Sequence, residues 1–481
     1  MSLPAQVAAA SLLALLLAAL LVAGLDPLLL TPLAVLPLIA LIALRQAFLL
    51  GVLFVAFSYF RLHEVMPALM PLKLPLALAL GTLFTLVWNL SFHRIRMFWD
   101  PLFTPFVLFF ALVTLGLVAG NNPGNSLTTW KDSYVKIAIM VFALAWLLRQ
   151  RRDLAHLLAI VLAAACVVAL VALGNKMQGL ELVEGSRVTI GRSIGSVLGD
   201  PNDLSLVLLF GAAWSLAAMT TRGLAGLVRT AGGLIFLLIA AAIVATQSRG
   251  GLLGIAAVAA VFVARRVRSK LLLALLGLLA LIVLFALAGV ADRQSGGAHE
   301  EGIDESAMGR IYAWEAALRM AFAHPLFGVG LDNFYYNYYL FSDFWDGKNH
   351  AVHSTWFGVL AETGWLGFGL FVWLVSALFI KVRRLQHALQ SDPKATPLER
   401  AAGAGLYGGL IGFVVSGTFL TQGFTWPLYI MLALAVGLGR MVQRRPLQSA
   451  APHPSFHLNP ADCAGKPAIG AGPVLAAPLR Q

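Results

Sequence analysis

The sequence predicts an all-α, polytopic integral membrane protein, and three observations carry that prediction. Of the 481 residues, 59% are hydrophobic and only 12% are charged, whereas soluble domains hold about 25% charged residues. Apolar runs of about 20 residues recur from residue 6 to residue 441, each long enough to cross a hydrocarbon core of roughly 30 Å as a helix. A transmembrane barrel needs segments of about ten residues with alternating polarity, and continuous runs such as LLLALLGLLALIVLFALAGV exclude it.

In chain order the spans fall at about 6–24, 27–44, 47–60, 74–92, 101–119, 133–148, 154–173, 203–220, 230–246, 250–264, 270–290, 355–380, 402–420 and 424–441. Merging of the short early runs gives about 12 to 14. The first run lacks the basic start of a signal peptide, and a second run follows it almost at once, so it reads as a retained span. Cys166 inside a span and Cys463 in the tail form neither a disulfide framework nor a zinc site.

The formal charge of +12 is explained by topology. With the N-terminus inside, roughly twenty of the 34 basic residues fall on the cytoplasmic side, among them the cluster ARRVRSK and the loop KVRRLQHALQSDPKATPLER. No nucleic-acid partner is needed. The chain then divides into N-terminal spans over 1–290, with an outer segment at 174–202, a large outer loop over 291–354, C-terminal spans over 355–445, and a Pro-, Ala- and Gly-rich tail over 446–481 expected to be disordered. A loop as long as 291–354 with internal structure is usually functional. Its aromatic group FYYNYYLFSDFW suits a membrane interface or a sugar-stacking surface.

About a dozen basic residues remain on the outer side, against the positive-inside bias. Arg249 lies in TQSRGG, between two spans with almost no loop. It is either a snorkelling turn residue or a group that grips an anion, with Gly250 and Gly251 allowing close approach. Arg187 and Arg192 lie in SRVTIGRSIGSVLGDPNDLS. There Asp200 reads as a helix cap, with Pro201 in the first turn. In GRIYAWEAALRMAFAHPLFGVGLDNF, Arg310 and Trp314 share a helix face; the alternative is an amphipathic helix lying on the membrane. In HSTWFGVLAETGWLG, His353 can take a proton from a hydroxyl. Glu362 stands about half a turn around from it on a continuous helix, so a dyad requires a break near Gly358. No His, Cys and carboxylate pattern completes a metal site.

These four stretches, in this order, resemble the O-antigen ligase family, a group that also includes O-antigen polymerases and bacterial protein O-oligosaccharyltransferases. The resemblance implies a C-type glycosyltransferase fold with a large periplasmic loop, in the bacterial inner membrane. It implies transfer of a polymer from undecaprenyl pyrophosphate to the lipid A core oligosaccharide, with neither a nucleotide sugar nor a metal. Carried over, the family's functional set is Arg249, Arg310 and His353, with Arg187, Arg192 and Trp314 as further substrate contacts. The family's His is most often followed by Asn; here Ser354 follows. A transporter of the same lipid-linked glycan is the alternative from another class. It requires ionisable residues along the membrane midplane, whereas most spans here are uncharged through their centres.

Overall fold

The computed structural model describes residues 46–267, 269–287, 305–345 and 347–444. The chain divides into a unit of Met1–Met441, which holds the site, and a short unit of Val442–Gln481. The expected spans at 6–24 and 27–44 and the tail at 446–481 lie outside the described residues.

The protein is a polytopic all-α membrane protein. Among the described residues, six helices are long and apolar enough to cross a membrane: α2 (Leu74–Ser91), α5 (Arg151–Gln178), α6 (Pro201–Thr220), α7 (Gly226–Thr246), α12 (Thr355–Ser391) and α14 (Trp426–Gln443). Further helices are α1 (Ala47–Tyr59), α3 (Phe103–Ala119), α4 (Val135–Leu147), α8 (Arg249–Val263), α9 (Lys270–Leu287), α10 (Glu305–Ala323), α11 (Phe334–Phe341) and α13 (Pro397–Gly417). Among the described residues, the departure from all-α is a two-residue antiparallel ribbon, β1 (Leu182–Val183) against β2 (Arg187–Val188).

α6 is the centre of the bundle. Every one of its residues from Leu204 to Ala218 is buried, as expected of a helix that is apolar all round. It packs on α5, α7, α8 and α13. The contact with α8 depends on Gly251, where a Cβ would run into the Ser205 side chain. Small residues let transmembrane helix backbones approach in this way. Gly251 therefore serves helix packing, one form of the close approach expected at this Gly pair.

α12 is broken, at Gly364 and not near Gly358. Gly364 has φ 67° and ψ −172°, a region reserved for glycine. In an unbroken helix the Trp365 N–H would meet the Ala361 carbonyl. Here Trp365 N donates to the Pro325 carbonyl (2.8 Å), and Ala361 O accepts from Val329 N (2.9 Å). The loop His324–Gly330 thus satisfies both groups freed by the break. A Cβ on Gly364 would strike the backbone of His324 and Pro325, and one on Gly328 would strike that of Ala361 and Glu362. Gly364→Ala is expected to release this loop. A lower Tm in detergent and faster trypsin cleavage between 305 and 345 would report it, since forcing such a φ/ψ on alanine costs about 1–3 kcal/mol before any clash.

The break also settles how α10 sits. Its face Ala313, Ala316, Ala317 and Met320 is fully buried with Val329, Phe334, Tyr338, Val352 and Ala361. α10 is packed onto α12 and α11 through this face.

Candidate functional site

Three helix N-termini are tied together at one end of the bundle. At α6, Asp200 is the N-cap, its Oδ1 accepting from Asn202 N (2.7 Å) and Asp203 N (3.4 Å), with Pro201 in the first turn. At α8, a two-residue turn suffices: Gln247 adopts φ 51°, and Ser248 caps the helix by accepting from Gly251 N (3.1 Å). Ser248 Oγ also donates to Asn202 Oδ1 (2.8 Å), joining α8 to α6. At α12, Ser354 is the N-cap, its Oγ accepting from Phe357 N (3.5 Å). Thr355 Oγ1 donates to Leu420 O (2.7 Å) and accepts from Gln422 N (3.2 Å). Gln422 Nε2 in turn donates to Asp203 Oδ1 (2.6 Å), closing the link to α6. Each N-terminus carries about half a positive charge, so this end favours an anion.

Arg249, the first residue of α8, is half-buried. Its neighbour Gly250 faces Phe419; a Cβ there would lie 3.6 Å from the Phe419 Cβ. The Arg310 guanidinium carbon stands 5.9 Å from the centroid of the same ring, within cation–π range. Arg310 also acts on His353. Burial lowers the His353 imidazole from its ordinary value of 6.5, and the Arg310 charge lowers it further, while Asp200 works in the opposite sense. The imidazole is therefore neutral at pH 7 and able to accept a proton. His353 holds φ 45°, and Ser354 is extended after it, which turns the chain sharply into α12. The structure thus brings Arg310, His353 and Asp200 together, with the Arg249–Gly250 turn joined to them through Phe419.

The other expected substrate contacts are placed differently. Arg187 is 3% exposed. Its Nε donates to Thr246 O (3.2 Å) and a terminal nitrogen to Asn202 Oδ1 (3.0 Å), with Glu184 at 3.6 Å. It braces the turn that presents Arg249. Arg192 is exposed, its guanidinium donating to Gly199 O (3.2 Å) and its backbone N–H to Glu181 (2.7 Å). Trp314 has one face stacked on Phe357 (5.1 Å between centroids, 12° between planes), and its indole N–H donates to Val352 O (3.1 Å). It fixes the backbone next to His353. Arg187→Ala is expected to lower Tm markedly, because buried acceptors lose a charged donor at a cost of about 1–3 kcal/mol. Arg192→Ala should leave Tm nearly unchanged in the same detergent melt.

Two features went unread in the sequence. Glu362 is no partner of His353: its carboxylate accepts from Asp332 N (3.0 Å) and Phe334 N (3.4 Å), holding the start of α11. The segment NNPGNS, 121–126, docks on the same loop. Asn121 N donates to Val329 O (2.9 Å), Ser126 Oγ to Leu331 O (2.8 Å) and Asn125 Nδ2 to Asp332 O (2.7 Å). Its density of Asn, Pro and Gly just after an apolar run was the available signal. Among the described residues, no three His, Cys, Asp or Glu side chains are grouped as metal ligands.

Residues 234–372 match the O-antigen ligase family model. The O-antigen ligase match runs from within α7 to the middle of α12, so it contains Arg249, Arg310, Trp314, His353 and the break at Gly364. Arg187, Arg192 and the cap of α6 precede it. No curated protein matches the chain.

Proposed function

We propose that this protein is an O-antigen ligase with a C-type glycosyltransferase fold, working on the periplasmic side of a bacterial inner membrane. It transfers a glycan from undecaprenyl pyrophosphate to a hydroxyl of the lipid A core. The observation that carries this reading is the meeting of Arg310 and His353 beside the Arg249 turn, at an end of the bundle where three helix N-termini converge. The O-antigen ligase match over 234–372 supports it.

The chemistry follows from those groups. The bond that breaks joins the anomeric carbon to the pyrophosphate oxygen, and the electron pair leaves with the undecaprenyl pyrophosphate. Negative charge develops on that leaving group. Preorganised guanidinium donors and helix dipoles stabilise it where it forms, with Arg249 and Arg310 gripping the two phosphates. The acceptor hydroxyl forms the new bond from the opposite face, inverting the anomeric carbon, and its proton passes to the neutral imidazole of His353. Arg187 and Trp314 hold the turn and the backbone that present these groups. The exposed tyrosines Tyr335, Tyr336 and Tyr339 offer ring faces to the glycan.

Polymerase and ligase activities of this superfamily differ in the acceptor, so the lipopolysaccharide profile of a deletion strain separates them. Loss of all long-chain product, with lipid-linked polymer accumulating, is the expected result. A single repeat left on the core would make the protein a polymerase, and an unchanged profile with an unglycosylated protein would make it a protein glycosyltransferase. Transfer by purified protein is expected to survive EDTA. Loss rescued by Mg²⁺ would move the leaving-group role toward Asp200 and Asp203.

A further inference from the structure

A second concave site lies at the other end of α8. That helix has fifteen residues from Arg249 to Val263, so its two ends lie about 21 Å apart. There the ends of α6, α8 and α12 and the start of α13 enclose a cavity of about 310 Å³, lined by Thr221, Arg222, Phe262, Arg265, Arg266 and Arg400 among others. Four arginines from three separate chain segments line it, and no acidic residue is among its lining residues. Among the described residues, none of the four arginines is in an ion pair with an acidic side chain. Arg400 is held in place by the carbonyls of Leu389 (3.3 Å) and Asp392 (3.0 Å). The Arg265 guanidinium carbon stands 5.1 Å from the Phe262 ring centroid.

The positive-inside rule accounts for arginines at this end of the bundle, but it does not require them to face one another across a cavity. Arg383 and Arg384, on the outer surface of α12 near the same end, meet that rule without lining it. Helix dipoles do not neutralise the site. Three C-termini and one N-terminus supply about one net negative charge, against four positive ones. Like charges held this close repel unless an anion sits between them. We propose that this cavity binds a phosphate group, and that the source is the headgroup of an anionic phospholipid in the adjoining leaflet. Forked guanidinium donors match phosphate oxygens, and basic pockets between helices at the cytoplasmic side hold lipid headgroups in this way. The volume is at the small end of ligand pockets, enough for a headgroup and not for a folded partner. The proposal is independent of the glycan chemistry at the far end of α8.

The test is thermal stabilisation of the purified full-length protein, delipidated in non-ionic detergent, titrated with dioctanoyl phosphatidylglycerol, dioctanoyl phosphatidylcholine or inorganic phosphate. Phosphatidylglycerol is expected to raise Tm saturably, while phosphatidylcholine does not. Arg265→Gln/Arg266→Gln should weaken the phosphatidylglycerol midpoint by about tenfold or more. Arg383→Gln/Arg384→Gln, which removes the same charge outside the cavity, should leave it unchanged. Arg222→Gln gives the same readout if the double variant does not fold. Inorganic phosphate saturating at concentrations no higher than the lipid, with the same sensitivity to the cavity variants, would keep the phosphate site but overturn the lipid as its source. An unchanged midpoint in the cavity variants, an equal loss in both double variants, or equal stabilisation by phosphatidylcholine would overturn the site itself.

Discussion

Arg310→Ala is expected to lower glycan transfer by about two to three orders of magnitude, the usual effect of removing one preorganised donor from a developing negative charge. Arg249→Ala should do the same, and the two together should fall well short of the product of their separate effects, because they act on one leaving group. Arg310→Lys should recover part of the loss, since a point charge replaces the planar fork that grips two phosphate oxygens. The loss is expected mainly in kcat, as the charge being stabilised exists only as the bond breaks. Initial rates of transfer from a purified lipid-linked donor provide the measurement. A purely structural role for Arg310 would instead appear as a fall in Tm.

His353→Ala is the second large effect, about two to four orders of magnitude if the imidazole carries the proton of the acceptor. The pH profile makes this specific. Burial and the Arg310 charge both lower the His353 value below 6.5. A base must be neutral to act, so kcat/KM should rise with pH through an apparent pKa below 6.5 and be flat at neutral pH. Removing the Arg310 charge removes one lowering influence. The acid limb of Arg310→Gln should therefore move upward in pH, while Arg310→Lys should keep it near the wild-type position. An acid limb that does not move between these two variants would detach His353 from Arg310.

The helical spans were legible because burial in lipid demands long apolar runs, and the expected span at 47–60 is α1 (Ala47–Tyr59), that at 203–220 is α6 and that at 230–246 lies within α7. The cap at Asp200 was legible too, since an Asp-Pro pair before an apolar run has a local meaning. Residues whose roles depend on distant partners were not. The helix wheel turns Glu362 away from His353, but only the fold shows it holding Asp332 and Phe334. Gly364 and Gly358 look alike in AETGWLG and WFGVLA, but it is the loop from His324 to Gly330 that decides which one breaks α12. Arg187 and Arg249 were both read as substrate contacts from their outer position. Their difference lies in burial: Arg187 is enclosed behind the turn, and Arg249 begins a helix at its edge.

On the proposed reading, a turn arginine, a loop-helix arginine and a neutral histidine act together near the positive ends of three helices, and transfer depends on all three. The most direct test uses purified protein, a lipid-linked glycan donor and lipid A core acceptor, with the product read on gels. Wild-type protein should move the glycan onto the core, and Arg249→Ala and His353→Ala, folded with wild-type Tm, should each lose nearly all transfer. Near wild-type transfer by both variants would contradict the account.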